Sequence, residues 1–273
     1  MVKDLVANSP FINLEFIDSG ETLNDSIVEK LFDYYKNDSG TVSFNLNRDF
    51  IDYRITPFFS TEQINELNID YFDFDSLSYF QISEFLNQHT FTSIKIKKSD
   101  IAVYIQLPDS YDSYLKNLNK KNRHELKRKK RIFEDKFDDF SYEQSKDETI
   151  FDEFITLHRK STGEKGNYMT EKIEKFYKAL FEGKNWTIHY LKQKDSMIAG
   201  AFVYESEKVE YLYNSCRDHN LDEFNTGTYL NDQLLQNSIK KSQQYFDFLK
   251  GEEKYKFNFG GEVHQLYDLK IKV

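Results

Sequence analysis

Three consecutive segments in the second half of the chain alternate apolar and polar residues with a period of two: 186–192, 197–204 and 208–216. Short polar turns at 193–196 and 205–208 join them. This period predicts strands, and connections this short place neighbouring strands side by side in antiparallel order. The segments therefore predict an antiparallel meander, and any fold for this chain has to contain it.

A turn that carries a glycine, Asn225-Thr226-Gly227-Thr228, comes after the meander, and a helix is predicted from there to about residue 243. The free N–H groups at a helix start carry a partial positive charge and can bind an anion. Gly227 would let the backbone approach a phosphate closely. The alternative interpretation is an ordinary turn in which the hydroxyl of Thr226 or Thr228 caps the helix.

The segment 245–260 combines aromatic rings with charges. It begins as an apolar strand, 245–249, with Asp247 at its centre. A buried carboxylate is costly unless it is paired or hydrogen-bonded, and burial raises its pKa toward the range that suits a general base. A structural ion pair with Lys254 or Lys256 is the alternative.

The rest of the chain predicts further helices and strands. A capping-box pattern at Ser60–Gln63 marks the start of a short helix. Helical spacing of apolar residues predicts helices at 25–36, 76–87, 110–135, 147–161 and 170–183. Strands are predicted at 41–46, 51–57, 91–97, 101–106, 139–144 and 263–272, with a turn at 98–100. Together these elements predict an α/β (α+β) fold with a mixed, mainly antiparallel sheet flanked by helices.

Basic residues are concentrated in one stretch. The whole chain has a net charge of −9, yet residues 120–131, KKNRHELKRKKR, hold eight basic residues and one acidic residue. This asymmetry indicates an anionic partner such as a nucleotide, tRNA, an acyl carrier protein or a lipid headgroup. A solvated basic helix is the alternative. Because no aromatic residue is interleaved in the stretch, sequence-specific nucleic-acid binding is not expected.

Composition argues against several other classes of protein. Aromatic residues make up 16% of the 273 residues, enough for a ring-rich globular core. No apolar run reaches the roughly 18 residues of a membrane-spanning helix, and the first residues lack the pattern of a signal peptide. The single cysteine, Cys216, cannot form an internal disulfide, and the scattered histidines predict no metal site. A cytoplasmic protein is therefore expected.

Four stretches of the sequence, in this order, resemble one family: Tyr111–Arg131, Ile198–Phe202, Phe224–Leu230 and Phe246–Lys256. They are similar to the GNAT acyltransferase superfamily and, within it, to the CelD/BcsL-type acetyltransferases of cellulose biosynthesis, a branch related to the FemABX transferases. The resemblance implies a GNAT-like acyltransferase domain at residues 101–273. Residues 1–100 would then be a degenerate N-terminal GNAT-like half, because FemABX proteins carry two such folds in tandem.

The resemblance also implies transfer of an acyl group, such as acetyl, from the thioester of acetyl-CoA, another acyl-CoA or a carrier protein. The acceptor would be an amine or hydroxyl of a small molecule or a saccharide precursor. The residues that match the donor-binding positions are Arg123, Thr226, Gly227, Thr228 and Tyr229. Many GNAT proteins carry an Arg/Gln-x-x-Gly-x-Gly/Ala loop at this place, and of that pattern only Gly227 is present here.

The catalytic positions implied by the resemblance are Asp247, Glu253, Tyr255 and Lys256. Asp247 would be the general base, and Tyr255 would protonate the leaving thiolate. Lys256 would orient an anionic group or stabilise an oxyanion. Two alternatives stay open. The FemABX kinship implies an aminoacyl-tRNA donor bound at the basic helix 119–131, and the incomplete phosphate loop allows a non-catalytic binding module.

Overall fold

The computed structural model describes residues 2–13, 16, 19–20, 30–31, 34–44, 48–56, 58–88, 90–161 and 164–273. The chain divides into two compact units. The first unit consists of residues 1–102, 250–252 and 263–273, and the second consists of residues 103–249 and 253–262. The assignment of residues 1–100 as a degenerate GNAT-like half stays a prediction.

Strands and helices alternate along most of the described chain. The strands are β1 (Lys30–Leu31), β2 (Tyr34–Lys36), β3 (Thr41–Phe44), β4 (Tyr71–Leu77), β5 (Ser93–Gln106), β6 (Phe140–Ser145), β7 (Trp186–Gln193), β8 (Ser196–Glu205), β9 (Val209–Arg217), β10 (Tyr245–Lys250) and β11 (Glu262–Lys272). The α-helices are α1 (Val2–Ala7), α2 (Thr61–Glu66), α3 (Tyr79–Leu86), α4 (Tyr111–Asn117), α5 (Lys120–Lys136), α6 (Glu148–Arg159), α7 (Glu164–Tyr168), α8 (Glu171–Glu182), α9 (Thr226–Lys240) and α10 (Lys254–Asn258).

In the first unit, the strands follow the order β1-β2-β3-β4-β11-β5. Strand β4 pairs in parallel with β3 and antiparallel with β11. Its alternate residues Phe72 and Phe74 are buried, as the two-residue period of a strand requires. Both rings make edge contacts with Phe85 of α3, with centroids 5.2 and 5.5 Å apart. The capping box predicted at Ser60–Gln63 is confirmed at the start of α2.

In the second unit, the strands follow the order β5-β10-β9-β8-β7-β6. Strands β6 to β9 pair antiparallel, and β9 pairs in parallel with β10. Rings pack on one side of the meander, where Trp186 stacks on Phe202 at 4.9 Å and Tyr177 of α8 lies 5.1 Å from Phe202. The predicted meander and the mixed, mainly antiparallel sheet flanked by helices are confirmed.

The single helix predicted at 110–135 is wrong, because the structure has two helices there. Leu118 is extended, with φ −64° and ψ 139°, and it ends α4. The side chain of Asn119 accepts a hydrogen bond from the amide of Asn122 at 2.8 Å and caps α5. The apolar spacing continues across this break, so periodicity alone does not reveal it.

Three predictions in the first unit are wrong where the structure describes them. The end of the helix predicted at 25–36 is strand β2, which pairs antiparallel with β3; residues 25–29 and 32–33 of that prediction lie outside the described residues. The turn predicted at 98–100 is instead the middle of the continuous strand β5. The strand predicted at 51–57 is irregular backbone through residue 56, and residue 57 lies outside the described residues.

Tertiary contacts explain why a polar stretch remains extended in β5. The guanidinium of Arg48 lies 2.6 Å from the carboxylate of Asp100. The side-chain amide of Gln265 donates to the carbonyl of Asp100 at 3.0 Å. Both partners are distant in sequence, so local turn chemistry is overridden.

Candidate active site

The parallel strands β9 and β10 stay together over a short distance only. Their register runs from Tyr245 opposite Val209 to Asp247 opposite Tyr211. Within these fully described strands, β9 then continues to Arg217 without β10 as a neighbour. Two parallel strands that separate in this way leave a cleft between their carboxyl ends.

A cleft of about 530 Å³ lies at this place. Four segments line it: the end of β9, the connection that follows β9, the first two turns of α9 and the residues that follow β10. The sequence-predicted residues among its lining are Thr226, Gly227, Thr228, Glu253 and Tyr255. The structure therefore brings three of the five predicted donor-binding residues and two of the four predicted catalytic residues to the same cavity.

Helix α9 begins at Thr226, so this threonine is the first residue of the helix and not its cap. Its N-cap is Asn225, in the left-handed region at φ 59°, and no side chain caps the helix start. The hydroxyl of Thr226 is buried without a hydrogen-bond partner in the described structure. A Cβ atom at Gly227 would lie 3.2 Å from Cδ of Arg217, so this side of the helix is closely approached. The first-turn N–H groups remain available to a ligand.

Arg217 is a cleft residue that sequence reasoning missed. Its Nε and Nη2 donate to the two carboxylate oxygens of Asp222 at 2.6 and 3.2 Å. His219 also contacts this carboxylate, at 3.1 Å. The hydrogen bond from Arg217 is the main reason why the pKa of Asp222 is lowered. The position of Arg217 at the end of the third meander strand, where β9 has separated from β10, was the available signal.

Asp247 and Lys256 are not among the residues that line the cleft, and both are almost completely buried, with 0% and 2% of their surface exposed. The carboxylate of Asp247 accepts a hydrogen bond from the backbone amide of Leu249 at 2.7 Å. The ammonium of Lys256 donates to the carbonyl of Leu249 at 3.2 Å and lies 3.0 Å from the carboxylate of Glu253. Both side chains therefore contact the backbone of the same residue, Asp247 at its N–H and Lys256 at its C=O.

Tyr255 reaches the cleft from α10. Its ring packs edge-on against Phe248, with centroids 5.8 Å apart. Burial, together with the nearby carboxylate of Glu253, raises the pKa of the Tyr255 hydroxyl above its ordinary value. The hydroxyl therefore stays neutral at physiological pH and can donate a hydrogen bond into the cleft.

The other two predicted donor-binding residues are Arg123, which belongs to α5, and Tyr229, which belongs to α9 and packs against α5. Arg123 donates from Nη1 to the carbonyls of Leu115, Lys116 and Leu118 at 3.2 to 3.3 Å, and so closes the C-terminal end of α4. Tyr229 stacks on Phe133 with ring centroids 3.9 Å apart. In the structure these two side chains connect helices, and neither is among the residues that line the cleft.

The part of the chain that the structure describes contains no group of three or more His, Cys, Asp or Glu side chains suited to a metal ion. In the same part of the chain, no helix has the length and apolar character needed to cross a membrane.

Residues 120–257 match the family model described as an acetyltransferase (GNAT) domain. The match covers just over half of the chain and includes α5, the meander, α9 and β10. The chain belongs to this GNAT family. The narrower CelD/BcsL-type branch stays a prediction. A search among curated proteins gave no match.

Solved structures share this fold at low sequence identity. A conserved protein of unknown function from Bacteroides thetaiotaomicron VPI-5482 is 12% identical, with a TM-score of 0.66 over 99% of this chain and 96% of that one. The structure of FemX is also 12% identical, with a TM-score of 0.60 over 97% of this chain and 94% of that one. At these identities the likeness concerns the fold alone.

Proposed function

We propose that this GNAT protein transfers an acyl group from a CoA or carrier-protein thioester to an amine or hydroxyl acceptor. The observation that carries the proposal is the cleft at the point where β9 and β10 separate. One side of this cleft has the uncapped start of α9 with Gly227, together with the cation of Arg217. The other side has the carboxylate of Glu253 and the neutral phenol of Tyr255.

The helix start suits the phosphate groups of a CoA donor. First-turn N–H groups of α9 bind an anion, and Gly227 allows close approach because it has no side chain. The buried hydroxyl of Thr226, which has no partner in the described structure, can donate one further hydrogen bond. Arg217 adds a guanidinium, whose geometry suits phosphate oxygens. The residues present therefore fit the group.

The opposite wall supplies proton transfer. Tyr255 carries a neutral hydroxyl, which can protonate a leaving thiolate. Glu253 is half exposed and held by Lys256, so its carboxylate can accept the proton of an acceptor amine or hydroxyl. We assign Tyr255 as general acid and Glu253 as general base.

Calorimetric titration with acetyl-CoA and CoA tests the donor. We expect micromolar binding to the wild type and an affinity about tenfold lower in Arg217→Ala, because a charge-assisted phosphate contact is lost. Gly227→Val should weaken binding further by filling the approach to the helix start. Lys184→Ala is the matched control, since it removes one exposed cation just before β7 and should bind as the wild type does. Equal affinities in all four proteins would contradict the donor site.

A second candidate donor is an aminoacyl-tRNA, as the sequence resemblance to FemABX transferases implies. The observation that favours it is the surface of α5, where Lys120, Lys121, Lys127 and Arg131 are exposed. This candidate predicts tRNA binding that weakens steeply with salt, and no binding of CoA. If neither donor binds and no turnover is measured, the cleft belongs to a non-catalytic binding module.

A further inference from the structure

Leu249 has an unusual backbone conformation for its residue type. Its φ is 60°, in the left-handed region, and its side chain is buried. The other described non-glycine residues with positive φ are polar: Asn68, Ser76, Lys194, Asn225 and Ser242. A buried leucine gains nothing locally from this conformation, so its surroundings must impose it.

Two buried ionisable side chains hold both polar groups of this residue. Asp247 accepts its N–H at 2.7 Å, and Lys256 donates to its C=O at 3.2 Å. Leu249 lies two residues after Asp247, the last residue of β10 that pairs with β9. A carboxylate that reaches the amide two residues along the chain is a known way to hold a turn at such a point.

The same ammonium also reaches the cleft. Lys256 lies 3.0 Å from the carboxylate of Glu253, which lines the cleft with Tyr255. The buried ammonium of Lys256 thus holds both the backbone carbonyl of Leu249 and the carboxylate of Glu253. A change in the Leu249 conformation would displace Lys256 and, with it, Glu253 and the start of α10.

We propose that Asp247 and Lys256 are positioning residues, which hold Leu249 in the left-handed conformation so that Glu253 and Tyr255 face the cleft. The proposal rests on the proposed acyltransferase function for its kinetic test. It replaces the roles that sequence resemblance implies, in which Asp247 is a base and Lys256 stabilises an oxyanion.

The variant Asp247→Asn distinguishes a positioning role of Asp247 from a role as general base. Its side-chain oxygen still accepts the amide of Leu249, but it cannot take a proton as a base. We expect Asp247→Asn to keep kcat within about threefold of the wild type and to keep the same pH profile, whereas Asp247→Ala should lower kcat by more than about tenfold. If Asp247→Asn abolishes turnover, or removes a limb of the pH profile, the positioning role is overturned.

The effect of Asp247→Ala can be compared in two variants of position 249, one with glycine and one with alanine. Leu249→Ala and Leu249→Gly remove the same buried side chain, but only glycine enters the left-handed region without steric cost. We expect Asp247→Ala to lower kcat at least about fivefold less in the glycine background than in the alanine background. An equal loss in both backgrounds would show that Asp247 does not act through the conformation of residue 249.

Hydrogen exchange keeps the test independent of turnover. Asp247→Ala should speed exchange of the backbone amides in 253–258, and glycine at position 249 should reverse much of this change. Unchanged exchange in 253–258 would overturn the proposal even if the enzyme is active. If no thioester donor supports turnover but exchange responds as expected, the proposed function fails and the positioning role stands. If Asp247→Ala does not fold, Lys256→Met replaces it, because it removes the hydrogen bond to the carbonyl of Leu249.

Discussion

Replacing Glu210 with glutamine should change how the stability of the protein depends on pH. Glu210 lies on β9 and is completely buried. Burial raises the pKa of its carboxyl group to about 8, although the nearby ammonium of Lys241 acts in the opposite direction. The folded protein therefore keeps this group protonated at neutral pH, while the unfolded chain, with a pKa of 4.5, does not.

The direction of the effect follows from which state binds the proton. Because the folded pKa is the higher one, the contribution of Glu210 to stability is fully present below pH 4.5 and is lost as the pH rises toward about 8. If the folded pKa is about 8 and the unfolded pKa is 4.5, the free energy of unfolding falls by about 3 to 4 kcal/mol between pH 5 and pH 8. Glutamine has nearly the same shape and does not titrate, so Glu210→Gln should abolish this part of the pH dependence.

Urea denaturation of both proteins at several pH values between 5 and 8 measures the effect. The free energy of unfolding of Glu210→Gln minus that of the wild type should increase by about 3 to 4 kcal/mol across this range. His189 is buried with a pKa lowered to about 3, so its contribution is lost as the pH falls below 6.5, in both proteins, and cancels in the difference. Glu207→Gln, at an exposed position of the same hairpin, is the control and should show no such increase. A difference that does not change with pH would refute the reasoning.

Three further predictions concern the cleft and its supports. Tyr255→Phe should lower kcat about 100-fold with little change in donor affinity, because only the proton of the general acid is lost; steady-state kinetics and calorimetry separate the two quantities. Asp222→Asn should tighten CoA binding about threefold in calorimetry, since Arg217 is released from a partly exposed ion pair. Lys130→Met should destabilise the protein by about 3 kcal/mol in urea, because it leaves the buried carboxylate of Asp232 without its cation; the double variant with Asp232→Asn should recover much of this loss.

Local patterns in the sequence predict the framework of the second unit well. A two-residue period and short turns are enough to predict β7, β8 and β9 and their antiparallel order. The glycine-bearing turn predicts the start of α9, and through it the donor side of the cleft. These features depend on neighbouring residues along the chain, which is why sequence reasoning finds them.

Features that depend on distant contacts could not be predicted in this way. The sequence predicts that Arg123, within a basic stretch, binds the donor. In the structure its partners are three carbonyls at the end of α4. The contacts of Asp247 and Lys256 with the peptide of Leu249 depend on the course of the chain after β10. That course depends on where the pairing of β10 with β9 ends, at Asp247. The periodicity of the sequence does not predict this position.

The first unit is built from segments that are far apart in the sequence, and this affects when it can fold during synthesis. Strand β11 pairs with β4, and its residues Leu269 and Ile271 are part of the same buried cluster as Phe72 and Phe74. These residues leave the ribosome only after the whole segment 103–262 has been made. Until then, β4 has an unpaired edge and an incomplete core, so the first unit cannot finish folding before the second unit has been synthesised.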